Sequence, residues 1–225
     1  MLELKNIYKT FNPGTINEKV ALNGLNLTLN EGDFVTVIGG NGAGKSTMLN
    51  AVAGTWMVDE GQILIDGIDV TKLSEHKRAA YLGRVFQDPM TGTAATMGIE
   101  ENLALAKRRG KIRLLKPGIT KAERQEYKEL LKILGLGLED RLTSKVGLLS
   151  GGQRQALTLL MATLQKPKLL LLDEHTAALD PKTAAKVLEI TEMIVNRDHL
   201  TTMMITHNMP VSYTHLRAHE TSAHL

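Results

Sequence analysis

The nine residues GGNGAGKST, at positions 39–47, have the composition and spacing of a phosphate-binding loop. They satisfy the pattern G-x-x-x-x-G-K-[ST] and lie between a predicted strand and a predicted helix, the context that such a loop requires. Glycines let backbone N–H groups converge on phosphate oxygens, and the helix start adds partial positive charge. We expect Lys45 to reach the β- and γ-phosphates, Ser46 to bind Mg²⁺ and Thr47 to support the neighbouring phosphate. The alternative is a glycine-rich turn with a surface lysine.

Two later stretches add polar groups with a defined spacing. In LLSGGQRQ, at 148–155, Ser150 and Gln153 could form no more than a capping box at the start of a helix. About twenty residues later, KLLLLDEHTAALD begins with an apolar run typical of a strand covered on both faces. Such a strand presents its carboxyl end to the ligand crevice, so Asp173 and Glu174 are expected beside the Mg²⁺ and the phosphates.

The elements that position these residues can be predicted from apolar periodicity. Strands are predicted at 2–8, at 20–29 and before Gly39, with a helix over 45–53 and further strands around a short polar helix between 61 and 86. The pattern is helical from about 97 to 164, where a capping box of Thr120 and Glu123 begins one helix and Gly135 ends it. A strand, a helix opened by Asp180 and a final strand restore the alternation typical of a parallel sheet.

Composition limits the classes of protein that the chain can belong to. Its 225 residues are 43% hydrophobic, which suffices for one domain, or one domain with a subdomain. The formal charge of +3 is too small to indicate nucleic-acid binding, and the absence of cysteine excludes disulfides and thiolate metal sites. The N-terminus lacks the apolar core of a signal peptide and the longest aliphatic run is short, so we expect that the chain does not cross a membrane.

In their order along residues 1–209, these stretches resemble the nucleotide-binding subunit of an ATP-binding cassette (ABC) transporter. GGNGAGKST is similar to Walker A, LSGGQRQ to the signature and LLLLDE to Walker B. Gln87 in VFQDP matches the Q-loop, ALD ending at Asp180 the D-loop, and His207 in ITHN the switch histidine. The resemblance implies an α/β fold: a P-loop NTPase core with a parallel sheet, an N-terminal antiparallel β subdomain and an inserted helical subdomain at about 88–164.

The resemblance also implies ATP and Mg²⁺ as cofactors and a head-to-tail dimer, in which the signature of one copy covers the ATP of the other. Glu174 would be the general base that polarises water, and His207 would contact the γ-phosphate. The implied catalytic residues are Glu174, His207, Gln87 and Lys45, and the implied Mg²⁺ ligands are Ser46, Gln87 and Asp173. The implied ATP-binding residues are Phe11, Gly39, Asn41, Gly42, Gly44, Lys45, Ser46, Thr47, Ser150, Gly151, Gly152, Gln153 and Asp180.

Two of these residues have a structural alternative. Phe11 stands where the family stacks an aromatic ring on adenine, with Tyr8 the less favoured candidate, but either ring could instead be packed in the core. Asp180 precedes Pro181 and is therefore also a good N-cap.

The function implied by the resemblance is ATP hydrolysis that powers transport through partner permease subunits at the cytoplasmic face of the membrane. Solute import is favoured, with an amino acid as the candidate solute and an extracytoplasmic substrate-binding protein as a further partner. No nucleic-acid partner is expected. The alternatives are an exporter or lipoprotein-release ATPase, a soluble ABC ATPase without a transport role, and a P-loop kinase. A kinase would need an acceptor site and no LSGGQ.

Three segments depart from the family pattern. His175 replaces the usual proline after Walker B, and we expect it to be exposed and without a catalytic role. The segment KRRGKIRLLKPG has six basic residues and no acidic one, which indicates a solvated loop, a contact with lipid head groups or a permease, or nucleic-acid binding.

The third departure is the end of the chain. The string VSYTHLRAHET, at 211–221, resembles a translated transposon-type sequencing adapter, so 210–225 is interpreted as a non-native tail after a truncated cassette. The alternative is a metal site at His215 and His219, which no carboxylate or cysteine arrangement supports.

Overall fold

The computed structural model describes residues 1–40, 42–110 and 118–206, which form two compact units. Of these residues, the first unit contains 1–84, Pro167–Glu174 and 198–206, and the second contains 85–166 and His175–Arg197. The predicted positions Asn41, His207 and the tail from 210 lie outside the described residues. The predicted boundaries of the helical subdomain, 88–164, stay a prediction.

Strands and helices follow one another along the chain in the predicted order. The strands are β1 (Leu2–Phe11), β2 (Lys19–Leu29), β3 (Phe34–Ile38), β4 (Glu60–Ile65), β5 (Ile68–Asp69), β6 (Leu82–Val85), β7 (Leu169–Asp173) and β8 (Thr202–Thr206). The helices are α1 (Lys45–Ala53), α2 (Glu75–Arg78), α3 (Ile99–Lys107), α4 (Lys121–Lys132), α5 (Gly151–Thr163) and α6 (Pro181–Asp198). Among the described residues, no helix is both long and apolar enough to span a bilayer.

The first unit contains an antiparallel sheet with the strand order β2-β1-β4-β5. Leu2 pairs with Leu29 on one side and with Ile65 on the other, and all three side chains are buried in one apolar cluster. Strand β1 runs three residues beyond its predicted end, because its polar last residues still pair with β2, where Phe11 lies opposite Lys19. This extension carries Phe11 to the end of the sheet.

A second sheet has the strand order β3-β8-β7-β6. Strand β8 is parallel to both β3 and β7, with Val37 and Asp173 both paired to Ile205. All four leucines of β7 are buried, as expected for a strand covered on both faces. The predicted α/β fold, with an antiparallel sheet and a parallel sheet, is confirmed.

The side chain of Arg78, at the end of α2, is fully buried in the first unit. Its guanidinium donates to four backbone carbonyls: Nη1 to Ala51 (2.6 Å) and Val52 (2.9 Å), Nε to Leu73 (2.8 Å) and Nη2 to Thr71 (2.9 Å). Two of these acceptors belong to the last turn of α1, where helical carbonyls lack partners and a positive charge is favourable. Arg78 therefore fixes the carboxyl-terminal end of α1.

Side-chain caps define two helix starts in the second unit. Thr120 accepts from the N–H of Glu123, and Ser150 accepts from the N–H of Gln153 at 3.3 Å. In both cases the side chain of the third helical residue accepts from the capping residue's own N–H. Both capping boxes predicted from sequence are therefore present.

The expected exposure of His175 is wrong. Its side chain is 2% exposed, and its Nε2 lies 3.1 Å from the hydroxyl of Thr191 on α6. Burial lowers the pKa of His175 to about 4, so the imidazole is neutral near pH 7. The hydroxyl of Thr191, the polar partner that offsets the cost of burial, lies sixteen positions along the chain from His175. The residues next to His175 in the sequence do not indicate this partner.

Candidate nucleotide-binding site

The phosphate-binding loop leads into α1 through glycines that other residues could not easily replace. Gly44, the N-cap of α1, has φ 80°, and a Cβ at this position would collide with the carbonyl oxygen of Ala21. Lys45 is 4% exposed, and its Nζ donates to the carbonyls of Gly39 (2.7 Å) and Gly40 (2.8 Å). The ammonium group is thus held inside the curve of the loop at the amino-terminal end of a helix, an arrangement that favours bound anions.

A cavity of about 300 Å³ opens over this loop within the first unit. Its lining combines residues of the phosphate-binding loop, among them Lys45 and Ser46, with the aromatic residues Phe11 and Trp56. The lining residues are Phe11, Lys19, Ala21, Gly42, Ala43, Gly44, Lys45, Ser46, Thr47 and Trp56. A lining that contains both anion donors and apolar rings suits a nucleoside phosphate.

The geometry separates the two aromatic candidates of the sequence. Phe11 lines the cavity. Tyr8 instead places its hydroxyl against Gly24, where an added Cβ would lie 2.9 Å from it. Tyr8 is therefore packed on β2, and its ring is not among those that line the cavity.

The two acidic residues after the apolar run lie at the carboxyl end of β7. Asp173 is the last residue of the strand and pairs with Ile205, and the N–H of Glu174 donates to the carbonyl of Ile205 at 3.1 Å. Glu174 has φ 46°, in the left-handed region, which costs a non-glycine residue about 1–2 kcal/mol. Strain of this kind is typical of functional sites, and it sets the direction in which the chain leaves the strand.

Arg84, near the end of β6, is the cationic neighbour of Asp173. Its Nη2 lies 3.4 Å from the Asp173 carboxylate and 2.8 Å from the side-chain oxygen of Asn50 on α1. Its Nη1 donates to the hydroxyl of Thr55 at 3.2 Å. Arg84 thus connects the carboxyl end of β7 to the helix that follows the loop.

The donor set of the first unit fits Mg²⁺. Ser46 and Asp173 offer a hydroxyl and a carboxylate, the hard oxygen ligands that this ion prefers. No group of three or more histidine, cysteine, aspartate or glutamate side chains able to hold a metal occurs among the described residues.

The remaining predicted site residues lie in the second unit. Ser150, Gly152 and Gln153 line a cavity of about 430 Å³ beside α6. Asp180 caps α6, because the N–H of Thr183 donates to its carboxylate at 3.1 Å, and bonds with Thr183 lower its pKa. Asp180 is therefore the N-cap of α6, as the sequence predicts.

Two further predicted site residues of this unit, Gly152 and Gln87, differ in burial. Gly152 allows the close approach of Thr183, which an added Cβ would block. Gln87 follows β6 and is exposed.

The family model described as "ABC transporter" matches residues 22–177, more than half of the chain. The chain belongs to the ABC transporter family. Its matched segment includes the loop, the signature and the end of β7, so the family predicted from sequence is confirmed. The ABC cassette is an ATPase domain, and this activity is carried by the chain.

Two similar proteins are described as ATP-binding proteins of transport or import systems. The cassette is 45% identical over 214 residues to a tyrosine transport ATP-binding protein of Clostridioides difficile, covering 93% of this chain and 83% of the relative. It is 38% identical over 195 residues to a methionine import ATP-binding protein, MetN, of Rhizobium johnstonii, covering 85% of this chain. The match spans about half of that relative, 51% of its length.

A solved structure shows the same fold as the cassette. It is a dimeric, post-hydrolysis state of the ATP-binding cassette MJ0796 bound to ADP and Pi, 32% identical, with a TM-score of 0.77. The similarity covers 94% of this chain and 90% of that one.

Lys19, Trp56 and Arg84 belong to the surroundings of the site but were not predicted from the sequence. Arg84 lies in a predicted strand, where its alternation with apolar neighbours indicates only a solvent-facing position. Lys19 directly precedes the strand predicted at 20–29, where a single lysine indicates no more than an exposed position. Trp56 is the one tryptophan of the sequence and follows a predicted helix end. That placement was a usable signal, because a large aromatic residue in a connecting segment often contacts a ligand.

Proposed function

We propose that the cassette binds MgATP in the first unit and that its hydrolysis powers solute import through permease subunits. The observation that supports this most is a single cavity lined both by Lys45, which is held in the loop, and by Phe11. Phosphates would lie at the loop and the base at the ring. A cavity of about 300 Å³ with aromatic as well as polar lining residues suits a nucleotide better than inorganic phosphate.

Each residue at the phosphate end has a defined task in this proposal. Lys45 leaves its two carbonyl acceptors and donates to the β- and γ-phosphates, while Thr47 supports the neighbouring phosphate. Ser46, Asp173 and Gln87 would hold Mg²⁺, which supplies positive charge to the phosphate oxygens. Glu174 accepts a hydrogen bond from the attacking water and orients it.

Residues that lie outside the described part of the chain complete the set. His207 is proposed to contact the γ-phosphate, and Asn41 to contribute its backbone to the loop. The backbone N–H groups of Gly39, Gly42 and Gly44 would bind phosphate oxygens.

The signature acts, in this proposal, on the ATP of a second copy of the chain. Ser150 and the following Gly151 and Gly152 present a hydroxyl and backbone N–H groups at the start of α5, where partial positive charge favours phosphate. Gln153 and Asp180 would lie at the same dimer interface. The related cassette that forms a dimer with ADP and Pi supports this arrangement.

We propose an amino acid as the imported solute, because the named relatives carry tyrosine and methionine in their descriptions. The solute would reach the permease through an extracytoplasmic substrate-binding protein, and the cassette would bind at the cytoplasmic face. Reconstitution with the permease encoded beside the gene tests this, with uptake of labelled tyrosine and methionine measured against a polyamine. ATP-driven efflux, or hydrolysis that the permease does not stimulate, would contradict the import proposal.

The nucleotide site has a direct test with a matched control. Lys45→Ala should abolish or strongly weaken ATP binding and hydrolysis, because it removes the cation inside the loop. Lys168→Ala removes a lysine whose partner is Asp66 at the surface and should leave both activities unchanged. Equal activity of the two variants would contradict the assignment of Lys45.

A further inference from the structure

The ring of Trp56 lies against Phe11, and both residues line the proposed nucleotide cavity. The two ring centroids are 4.9 Å apart with an interplanar angle of 79°, an edge-to-face contact. Trp56 follows α1 in the segment that leads to β4, and it remains 37% exposed. A large aromatic ring that is left partly exposed in the same cavity as a phosphate-binding loop has area available for a ligand.

The position of Trp56 is fixed by hydrogen bonds on both sides of it. On the α1 side, the N–H groups of Thr55 and Trp56 donate to the carbonyl of Asn50 at 3.0 and 3.3 Å. On the β4 side, the N–H of Asp59 donates to the carbonyl of Tyr8 at 2.9 Å. The segment is therefore attached to the helix that follows the loop and to the strand that carries Phe11.

The carboxylate of Asp59 makes this attachment stronger. It accepts from Lys9 Nζ at 2.7 Å and from the N–H of Thr10 at 2.6 Å. The same Lys9 ammonium lies 5.6 Å from the centroid of the Phe11 ring, within the range of a cation–π contact. One carboxylate thus connects the backbone beside Phe11, the cation over its ring and the segment of Trp56.

A nearly perpendicular pair cannot hold a base between two parallel rings. It can present one ring face for stacking, while the edge of the other ring limits how far the base slides. A purine offers more stacking area to such a surface than a pyrimidine does. A ligand that has phosphates and no base cannot make this stacking contact.

We propose that Trp56 is a second aromatic residue of the base-binding site and determines specificity for the base of a nucleoside triphosphate, with Asp59 as the residue that positions it. This inference rests on the proposed nucleotide site but adds residues that the phosphate-binding motifs do not contain. The phosphate end and the base end can be measured separately. Inorganic tripolyphosphate probes the first, and ATP probes both.

The test compares Trp56→Leu with the wild-type chain by isothermal titration of MgATP, MgCTP and magnesium tripolyphosphate. Stacking of a base on an aromatic side chain is worth enough that ATP affinity should fall at least about fivefold. Tripolyphosphate affinity should stay within about twofold of wild type, and the preference for ATP over CTP should shrink. Asp59→Asn should show the same pattern with a smaller loss, because it leaves the ring and loosens its support.

Two further variants separate a role in binding from a role in folding. Trp56→Phe retains a ring and should recover most of the ATP affinity, whereas Tyr8→Leu removes an aromatic ring that packs on Gly24 and should change nothing. In the unmodified chain, Trp56 is the one tryptophan, so its emission should respond to ATP more than to tripolyphosphate. This last measurement needs no variant to fold.

Unchanged ATP affinity in Trp56→Leu, or an equal loss for ATP and tripolyphosphate, overturns the role of Trp56. An identical response of Trp56 emission to both ligands overturns it as well. Failure of the nucleotide site itself gives a different result. In that case the wild-type chain binds neither ligand, or Lys45→Ala binds both as well as wild type does.

Discussion

The guanidinium of Arg84 lies 3.4 Å from the carboxylate of Asp173, the residue proposed to bind Mg²⁺. Both side chains are mostly buried, at 14% and 19% exposure, so water screens the pair less than it would at the surface. A fixed cation beside a metal ligand has two opposite effects. It balances the carboxylate when the metal is absent, and it repels the metal when the metal binds.

The first prediction concerns Arg84→Met, which removes that charge and keeps a long apolar side chain. Repulsion between like charges within a few ångströms is worth at least about 1 kcal/mol near a protein surface. The Mg²⁺ concentration for half-maximal ATP binding should therefore fall several-fold. The fluorescence emission of Trp56 during a Mg²⁺ titration at fixed ATP measures this Mg²⁺ concentration independently of hydrolysis.

Arg84→Lys keeps the charge and is the matched control, with a Mg²⁺ requirement close to wild type. A higher Mg²⁺ requirement in Arg84→Met would contradict this prediction. It would show instead that the guanidinium orients Asp173 more than it repels the metal.

A second prediction tests Glu174 as the general base. Glu174→Gln keeps the shape of the side chain but cannot accept the proton, so turnover should drop by roughly 10²-fold or more. ATP binding should persist, and an ATP-bound dimer should accumulate in size-exclusion measurements. Glu129→Gln, which alters an exposed residue paired with Lys132, is the control with normal turnover. Undiminished hydrolysis in a permease-coupled sample of Glu174→Gln would refute the assignment.

The third prediction concerns the origin of the signature in each ATP site. A mixed dimer with Lys45→Ala in one copy and Ser150→Arg in the other puts both lesions into one composite site and leaves the other intact. About half of the wild-type hydrolysis per dimer should remain if the sites act independently. Homodimers of the double variant, with both sites damaged, should be inactive. If each site were built within one copy, the mixed dimer would be as inactive as the homodimers.

The fourth prediction follows from the burial of His175. Its pKa is about 4 in the folded chain and near 6.5 when it is unfolded, so between these values the unfolded state binds more protons. The free energy of unfolding should therefore have its full value above pH 6.5 and should decrease as the pH falls toward 4. The loss from this one group is about 3 kcal/mol.

Urea unfolding between pH 7 and 4.5 measures that slope. His175→Met, which keeps a side chain of similar volume, should flatten it, because the group that must stay neutral is gone. His76→Leu removes an exposed histidine and should leave the slope as it is. A slope that His175→Met does not change would show that other groups cause the loss.

Local signals in the sequence predict local structure well, and the first and last residues of α1 match the prediction. The capping boxes of Thr120 and Ser150 are also local, since each joins residues three positions apart. Pairs that only the fold brings together leave no such signal. Arg84 and Asp173 are 89 positions apart, and Thr191, the partner of His175, lies sixteen positions away on α6.

The same contrast holds within the candidate site. The motif places Lys45 and Ser46 at the start of a helix because glycine spacing alone determines that turn. The neighbour of Phe11 depends on how β1 meets the segment after α1, which hydrogen bonds of Asp59 determine. Sequence patterns therefore predict the phosphate end of the cavity better than its aromatic end.

The buried guanidinium at the carboxyl-terminal end of α1 makes two positions evolutionarily dependent on each other. A Cβ at residue 54 would lie 2.7 Å from Nε of Arg78, so Gly54 and Arg78 are compatible where alanine and arginine are not. A lineage can acquire a side chain at position 54 only after a shorter residue replaces Arg78, and even then the φ of 84° favours asparagine. The two positions should therefore covary among homologous chains, with glycine retained wherever the arginine is.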